Sequence, residues 1–340
     1  MKKQIFTGLL TAAMVTASIA GPAMAENATE GAASGELLPG GGNKIIYCIT
    51  PDTSNPYFAT VQNIAVQEGE KLGYEVKTAS HSDDASKQLE LFEAAIADGA
   101  AAIICDIAGS DASVEAVQKA YDAGIPTFLV DREINQSGIA AAQLVADNAQ
   151  GAAAIAEVWV EAMNYEGKYA ELLGLESDTN CQVRSENFHS VIDEYPDLEM
   201  VAQQSANWDQ TEAYEKAESI LQSNPEITGI ICGNDTMACG AVQACLDAGR
   251  DDIKIIGVDG SDDAAKYIKE GHMVGTALQQ IALITKTAVD EADAYLNGTA
   301  PEEEKQLIPC IAITADNVDN LSAFVYTDPA AEGATEASAK

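Results

Sequence analysis

Between residues 44 and 314 the chain alternates short, continuous apolar runs with longer segments whose apolar positions recur at helical spacing. The first series predicts strands over 44–50, 74–79, 101–105 and 126–130. Helices over 57–72, closed by Gly73, 85–97 and 112–123 fall between them. A second series predicts helices over 148–164, 180–194, 210–223, 236–248, 261–269 and 281–297. Its strands fall at 168–173, 198–203, 228–232, 253–258 and 273–278, and Lys305 to Thr314 again reads as strand. Strands that are apolar throughout belong in parallel sheets covered by helices on both faces. Two successive strand–helix series therefore predict an α/β fold of two doubly wound parallel-sheet lobes. The last strand-like run is long enough to recross between them, so a three-strand hinge is expected, with crossings near 147, 280 and 309. The first lobe is then 44–147 plus 280–308, and the second is 148–279 plus 309–327.

The ends follow different patterns. Lys2 and Lys3 precede an apolar run from Ile5 to Ala20, and Ala23-Met24-Ala25 precedes Glu26. This reads as a signal peptide over 1–25, too short and too rich in Ser and Thr for a membrane anchor. The expected location is outside the cytoplasm, periplasmic or extracellular, with no membrane span. Residues 26–43 are rich in Gly, Ala and Glu and read as a flexible tether, and 328–340 as a disordered tail.

Charge and composition narrow the partners. The formal net charge is -36, from 54 acidic against 18 basic residues. That excludes nucleic acid and anionic lipid surfaces as expected partners. Solvated surface carboxylates account for it without a cationic ligand. Seven cysteines show neither a C-x-x-C pair nor a metal-ligand spacing, and they read as small buried hydrophobes. His81, His189 and His272 are isolated. No cofactor or metal is expected.

In doubly wound sheets, ligands gather beyond the carboxyl ends of the strands. The first predicted strand is followed by Ser54-Asn55-Pro56-Tyr57-Phe58, where Asn55 or Ser54 can cap the helix and Pro56 suits its first turn. A cap does not account for two aromatic residues at an exposed helix start. Asp106 follows the third strand, and Asp131 and Arg132 the fourth. In the second lobe the corresponding ends carry Arg184, Trp208, Asn234, Asp259 and Gln279. Asp235 reads as a cap for the helix beginning at Thr236, and Asp147-Asn148 as shaping the lobe crossing. Carboxylates accept from hydroxyls, guanidinium donates in a planar fork, amides do both, and aromatic rings cover C–H faces. Acids and arginines are mixed, so the set suits a neutral polyhydroxylated solute.

At these residues the chain resembles the ribose-binding group of type I periplasmic binding proteins, over roughly 44 to 314. The motifs are Ser54-Asn55-Pro56-Tyr57-Phe58, Val130-Asp131-Arg132, Val145-Ala146-Asp147-Asn148, Arg184-Ser185-Glu186-Asn187-Phe188, Gly233-Asn234-Asp235-Thr236-Met237-Ala238 and Gly257-Val258-Asp259-Gly260. The resemblance implies ligand roles for Asn55, Tyr57, Phe58, Asp131, Arg132, Arg184, Trp208, Asn234, Asp259 and Gln279. The chain departs from ribose binders in carrying Asp106 for Asn, Trp208 for Phe, and Val258 for an aromatic residue. Asp131 to Gln136, Leu172 to Asn180 and Gln204 to Trp208 look closer to erythritol- and hexitol-type polyol binders.

The implied function is capture of a neutral sugar or sugar alcohol for an ABC importer, by a monomer that hands its cargo to a membrane permease. One alternative is a sensor that presents the closed lobes to a chemoreceptor or sensor kinase. Another is an enzyme using Asp106 and Asp131 as acid and base. The chain has no G-x-S-x-G elbow, phosphate loop, dinucleotide fingerprint or metal motif, which sets the enzyme reading last.

Overall fold

The computed structural model describes residues 37–328. The expected signal peptide, residues 26–36 of the expected tether and the tail beyond Asp328 lie outside the described residues. The first sheet is built from β1 (Ile45–Thr50), β2 (Glu75–Ser80), β3 (Ala102–Cys105), β4 (Thr127–Val130) and β5 (Ala142–Ala146). Between the first four run α1 (Pro56–Lys71), α2 (Ala85–Ala97) and α3 (Val114–Asp122). The chain then enters a second sheet through α4 (Asn148–Ala162), β6 (Gly167–Leu173), α5 (Thr179–Ile192), β7 (Leu198–Ser205) and α6 (Gln210–Ser223). It continues through β8 (Ile227–Cys232), α7 (Asp235–Asp247), β9 (Lys254–Asp259), α8 (Asp262–Glu270) and β10 (Gly275–Leu278). Helix α9 (Ile281–Leu296) packs back on α1, and β11 (Lys305–Ile308) joins the first sheet beside β5. Strand β12 (Ile311–Thr314) then joins the second sheet, antiparallel to β10.

The sheet orders are β11-β5-β4-β3-β1-β2 and β12-β10-β9-β8-β6-β7. All pairs in the first are parallel. Strands β3, β4, β5 and β10 are buried at every residue, as helices on both faces require. The α/β class with two doubly wound parallel sheets is thus the observed one. The chain passes from one sheet to the other after β5, after β10 and between β11 and β12.

Three features differ from the sequence reading. Strand β5 was not expected, because Ala142-Gln143-Leu144-Val145-Ala146 carries one β-branched residue and a Gln. It forms because both its edges are paired, with β4 and with β11. The run 305–314 is two strands rather than one, broken at Pro309-Cys310, where proline has no N–H to give a ladder. The expected tether stops short of residue 43. Leu37 and Leu38 pack on the core, Leu38 N donates to Tyr295 Oη at 2.9 Å, and Gly41 N to Ala100 O at 2.8 Å. Two adjacent leucines carry enough apolar surface to hold this stretch against the first lobe. After β12 come a 3₁₀ turn (Val318–Asn320) and a hairpin of β13 (Leu321–Ser322) and β14 (Val325–Tyr326).

The seven cysteines all fall among the described residues, and all are buried and unpaired. Burial pushes the Cys48 and Cys245 thiols up to about 12. They are inert core groups.

Candidate functional site

Helix starts at the strand ends supply both caps and ligand-facing groups. Asn55 caps α1 through its side-chain oxygen, 3.0 Å from Tyr57 N. Asn234 caps α7 in the same way, 2.9 Å from Met237 N. Each cap uses the oxygen and leaves the side-chain NH₂ as a donor. Asp178 caps α5 with Oδ1, 2.9 Å from Asn180 N. All three residues line one cleft between the lobes, with Tyr57, Phe58, Asp131, Arg132, Arg184, Trp208, Asp259 and Gln279.

The wall from the first lobe is centred on Arg132, which is 2% exposed. Its Nη1 donates to Asp83 Oδ1 at 2.6 Å and to Ile107 O at 2.9 Å. Its guanidinium lies over the Phe58 ring, 5.5 Å from the centroid. The Tyr57 hydroxyl donates to Asp131 Oδ1 at 2.9 Å. Behind this layer His81 accepts from Asp83 N at Nδ1 and therefore donates from Nε2 to Asp106 O at 2.7 Å. Burial keeps this imidazole neutral, down to about 4.

The wall from the second lobe is centred on Arg184. Its Nε donates to Asn148 Oδ1 at 2.7 Å and its Nη1 to Gly233 O at 2.9 Å, with Asp259 Oδ1 at 3.8 Å. Its guanidinium lies 5.3 Å from the Trp208 ring centroid. Gln279 donates to Asp259 Oδ1 at 2.9 Å. Trp208 packs closely on bare backbone: a Cβ at Gly174 would stand 2.0 Å from its ring and one at Gly233 2.9 Å. Asp131, Trp208 and Asp259 all hold positive φ, of 64°, 64° and 132°. Non-glycine residues seldom do so, and such strain collects at binding sites.

The lobes are closed on one another. Arg132 Nε lies 2.9 Å from Asp178 Oδ2 without hydrogen-bond alignment, and Asn180 Nδ2 donates to Asp131 O at 3.2 Å. The cleft left between them is small. Within the described residues, eight buried side-chain polar atoms have no hydrogen-bond partner. Three of them belong to the lining, Trp208 Nε1, Gln279 Oε1 and Arg132 Nε, and both oxygens of Asp106 lie behind Arg132. An unmet buried polar atom costs about 1–3 kcal/mol, so a cluster of them beside a space marks where a hydroxylated solute would be welcome.

The electrostatics favour a neutral guest. Burial raises the Asp106 carboxyl well above the usual range, and the nearby Asp131 adds to it. Burial likewise raises Asp131 and Asp259, opposed by Arg184. Both guanidinium groups already face carboxylates, so neither is left over for an anion. The described residues hold no cluster of three or more His, Cys, Asp or Glu able to bind a metal.

Of the eleven residues nominated from the sequence, ten line this space. Asp106 does not. It is fully buried behind Arg132, with Oδ1 3.6 Å from Nε. Asp235 is not a cap either; Asn234 caps that helix. The Asp235 carboxyl takes Thr276 Oγ1 at 2.6 Å, Ser261 N at 2.7 Å and Gly260 N at 2.9 Å, fastening the turn after β9. Asp147 caps α4, which leaves Asn148 free to meet Arg184. The reading missed Asp178, which the strand-end rule could have found just beyond β6. Asn180 carried no such signal, because its role depends on the lobes meeting.

The Periplasmic binding protein domain family matches residues 46–300. A protein named D-apiose import binding protein from Actinobacillus succinogenes is 50% identical over 288 residues, 83% of this chain and 92% of that protein. One of the same name from Paraburkholderia graminis is 47% identical over 281 residues, 82% and 90% of the two chains. The crystal structure of an ABC transporter periplasmic solute binding protein from Actinobacillus succinogenes with bound D-allose superposes with a TM-score of 0.77. That pair is 28% identical, covering 81% of this chain and 99% of the other.

Proposed function

The chain belongs to the periplasmic binding protein domain family, and from that membership we propose that it is the capture component of an ABC importer for a neutral sugar or sugar alcohol. It binds and does not turn over its ligand. The observation that carries the reading is the set of three unmet buried polar atoms in the lining of the cleft, Trp208 Nε1, Gln279 Oε1 and Arg132 Nε, flanked by the rings of Phe58 and Trp208. Sugar hydroxyls would supply the missing partners, and the two rings would cover C–H faces. The lobes open to admit the ligand and close on it through the three crossings between the sheets, as hinge closure in binding proteins does. The closed form then engages a permease.

We take D-apiose, a branched pentose, as the first candidate, on the names of the two relatives near half identity. Sugar acids and sugar phosphates are disfavoured, because the carboxylates of Asp131, Asp178 and Asp259 outnumber the two guanidinium groups in the lining. The test is a thermal-shift screen of the purified protein against D-apiose, ribose, erythritol, xylitol, hexitols, myo-inositol, and aldonic acids. A ligand at 100 times its Kd stabilises by about 2.7 kcal/mol. A clear rise with one neutral sugar or polyol and none with the acids is expected. No rise with any neutral compound, using protein freed of carried-over ligand, would overturn the reading.

A further inference from the structure

The hairpin β13–β14 ends on a two-residue turn in which Ala323 and Phe324 hold φ of 51° and 60°. Two-residue turns with positive φ at both positions favour Asn-Gly or Asp-Gly, and Phe is a poor choice on backbone grounds. A strained residue that is kept in place invites the question of what its side chain does. Phe324 is 4% exposed, and its ring meets the Tyr57 ring edge-on, with centroids 5.6 Å apart and planes at 86°. The hairpin stands on the second lobe, where Ala323 N donates to Asp262 Oδ1 at 2.8 Å and Leu321 is buried in the core. Tyr57 belongs to the first lobe, lines the ligand space and holds Asp131 through its hydroxyl. Phe324 does not itself line that space.

We propose that Phe324 is a positioning residue, an aromatic clasp that reaches from the second lobe onto Tyr57 and holds the closed form together. It acts through Tyr57, whose ring it keeps set so that the hydroxyl stays on Asp131. The proposal rests on the hinge-closing reading above. The contact joins two lobes, so it is made whenever they are closed, holds the closed fraction of the ligand-free protein, and with ligand inside slows its escape.

The experiment is stopped-flow binding of D-apiose to the full chain. Phe324→Ala should raise the dissociation rate about three- to tenfold and leave the association rate unchanged, the range expected for one aromatic pair. Phe324→Tyr should restore slow dissociation. A hairpin that only props the fold would lower the melting temperature of the ligand-free protein and leave the dissociation rate alone, which would overturn the proposal. So would a faster dissociation that Phe324→Tyr fails to restore. If the wild-type protein binds no sugar, the importer reading fails, and the clasp is judged in ligand-free protein by small-angle X-ray scattering. There Phe324→Ala should enlarge the radius of gyration, and an unchanged radius would overturn the clasp.

Discussion

Arg132 and Asp178 stand with Nε and Oδ2 2.9 Å apart, both buried, although one follows a strand of the first sheet and the other caps a helix of the second. The contact exists only while the lobes are together. It places a charge pair at the boundary that opening must break and rehydrate.

Asp178→Asn keeps an oxygen for the cap of α5 but removes the charge facing Arg132. Losing one partner of a buried pair typically costs 3–5 kcal/mol. Arg132 retains Asp83 and water can reach the pair on opening, so a smaller loss of about 1.4–2.8 kcal/mol is expected. That is a ten- to hundredfold weaker Kd in a calorimetric titration. An unchanged Kd would mean that the pair is incidental to closure.

Arg184→Ala should weaken binding at least a hundredfold, while the circular dichroism spectrum stays that of the wild type. It deletes donors to Asn148 and Gly233 and leaves Asp259 without its cation. Arg184→Lys should recover only part of the loss, because ammonium cannot reproduce the planar fork. If Arg184→Ala binds as well as wild type, the site lies elsewhere.

Gly174→Ala offers a steric test that adds no charge. The new methyl would stand 2.0–2.2 Å from three atoms of the Trp208 ring. The indole must shift off its bed, and affinity should fall about as far as in Trp208→Ala. Equal affinity in Gly174→Ala and wild type would show that Trp208 need not lie where it does.

His189 gives a pH signature remote from the cleft. Its Nε2 sits 3.1 Å from Glu171 and its Nδ1 3.1 Å from Asp193. The hydrogen bond to Glu171, then that to Asp193, raise the imidazole to about 9, against the opposing effect of partial burial. A histidine whose folded value is raised contributes stability fully below its unfolded value near 6.5, lost as pH climbs through the folded one. Urea melts should therefore show stability falling from pH 6.5 to 9, by as much as roughly 3 kcal/mol from this group. His189→Gln should flatten that slope relative to wild type. Parallel slopes in the two proteins would refute the pairing.

The sequence alone reached the strand–helix alternation, because burial on both faces writes itself as continuous apolar runs. It missed β5, whose five residues become a strand through two neighbouring edges rather than through propensity. It found ten of the eleven lining residues, because strand-end positions converge in any doubly wound sheet. It placed Asp106 at the surface of the cleft, since a strand end fixes where a residue sits but not which side chain stands in front of it. Arg132, the longer side chain, fills that front position and leaves Asp106 behind.

What the residues determined by themselves, then, is the class of fold, the two lobes and the chemistry gathered at their facing edges. Each follows from local rules of burial, capping and hydrogen-bond capacity that act within a few residues. Only the tertiary structure decided the pairing of Arg132 with Asp178, the reach of Asn180 to Asp131 and the touch of Phe324 on Tyr57. These contacts join groups on opposite lobes, and their distances depend on how two separately folded cores come to rest against each other. No periodicity along the chain encodes that.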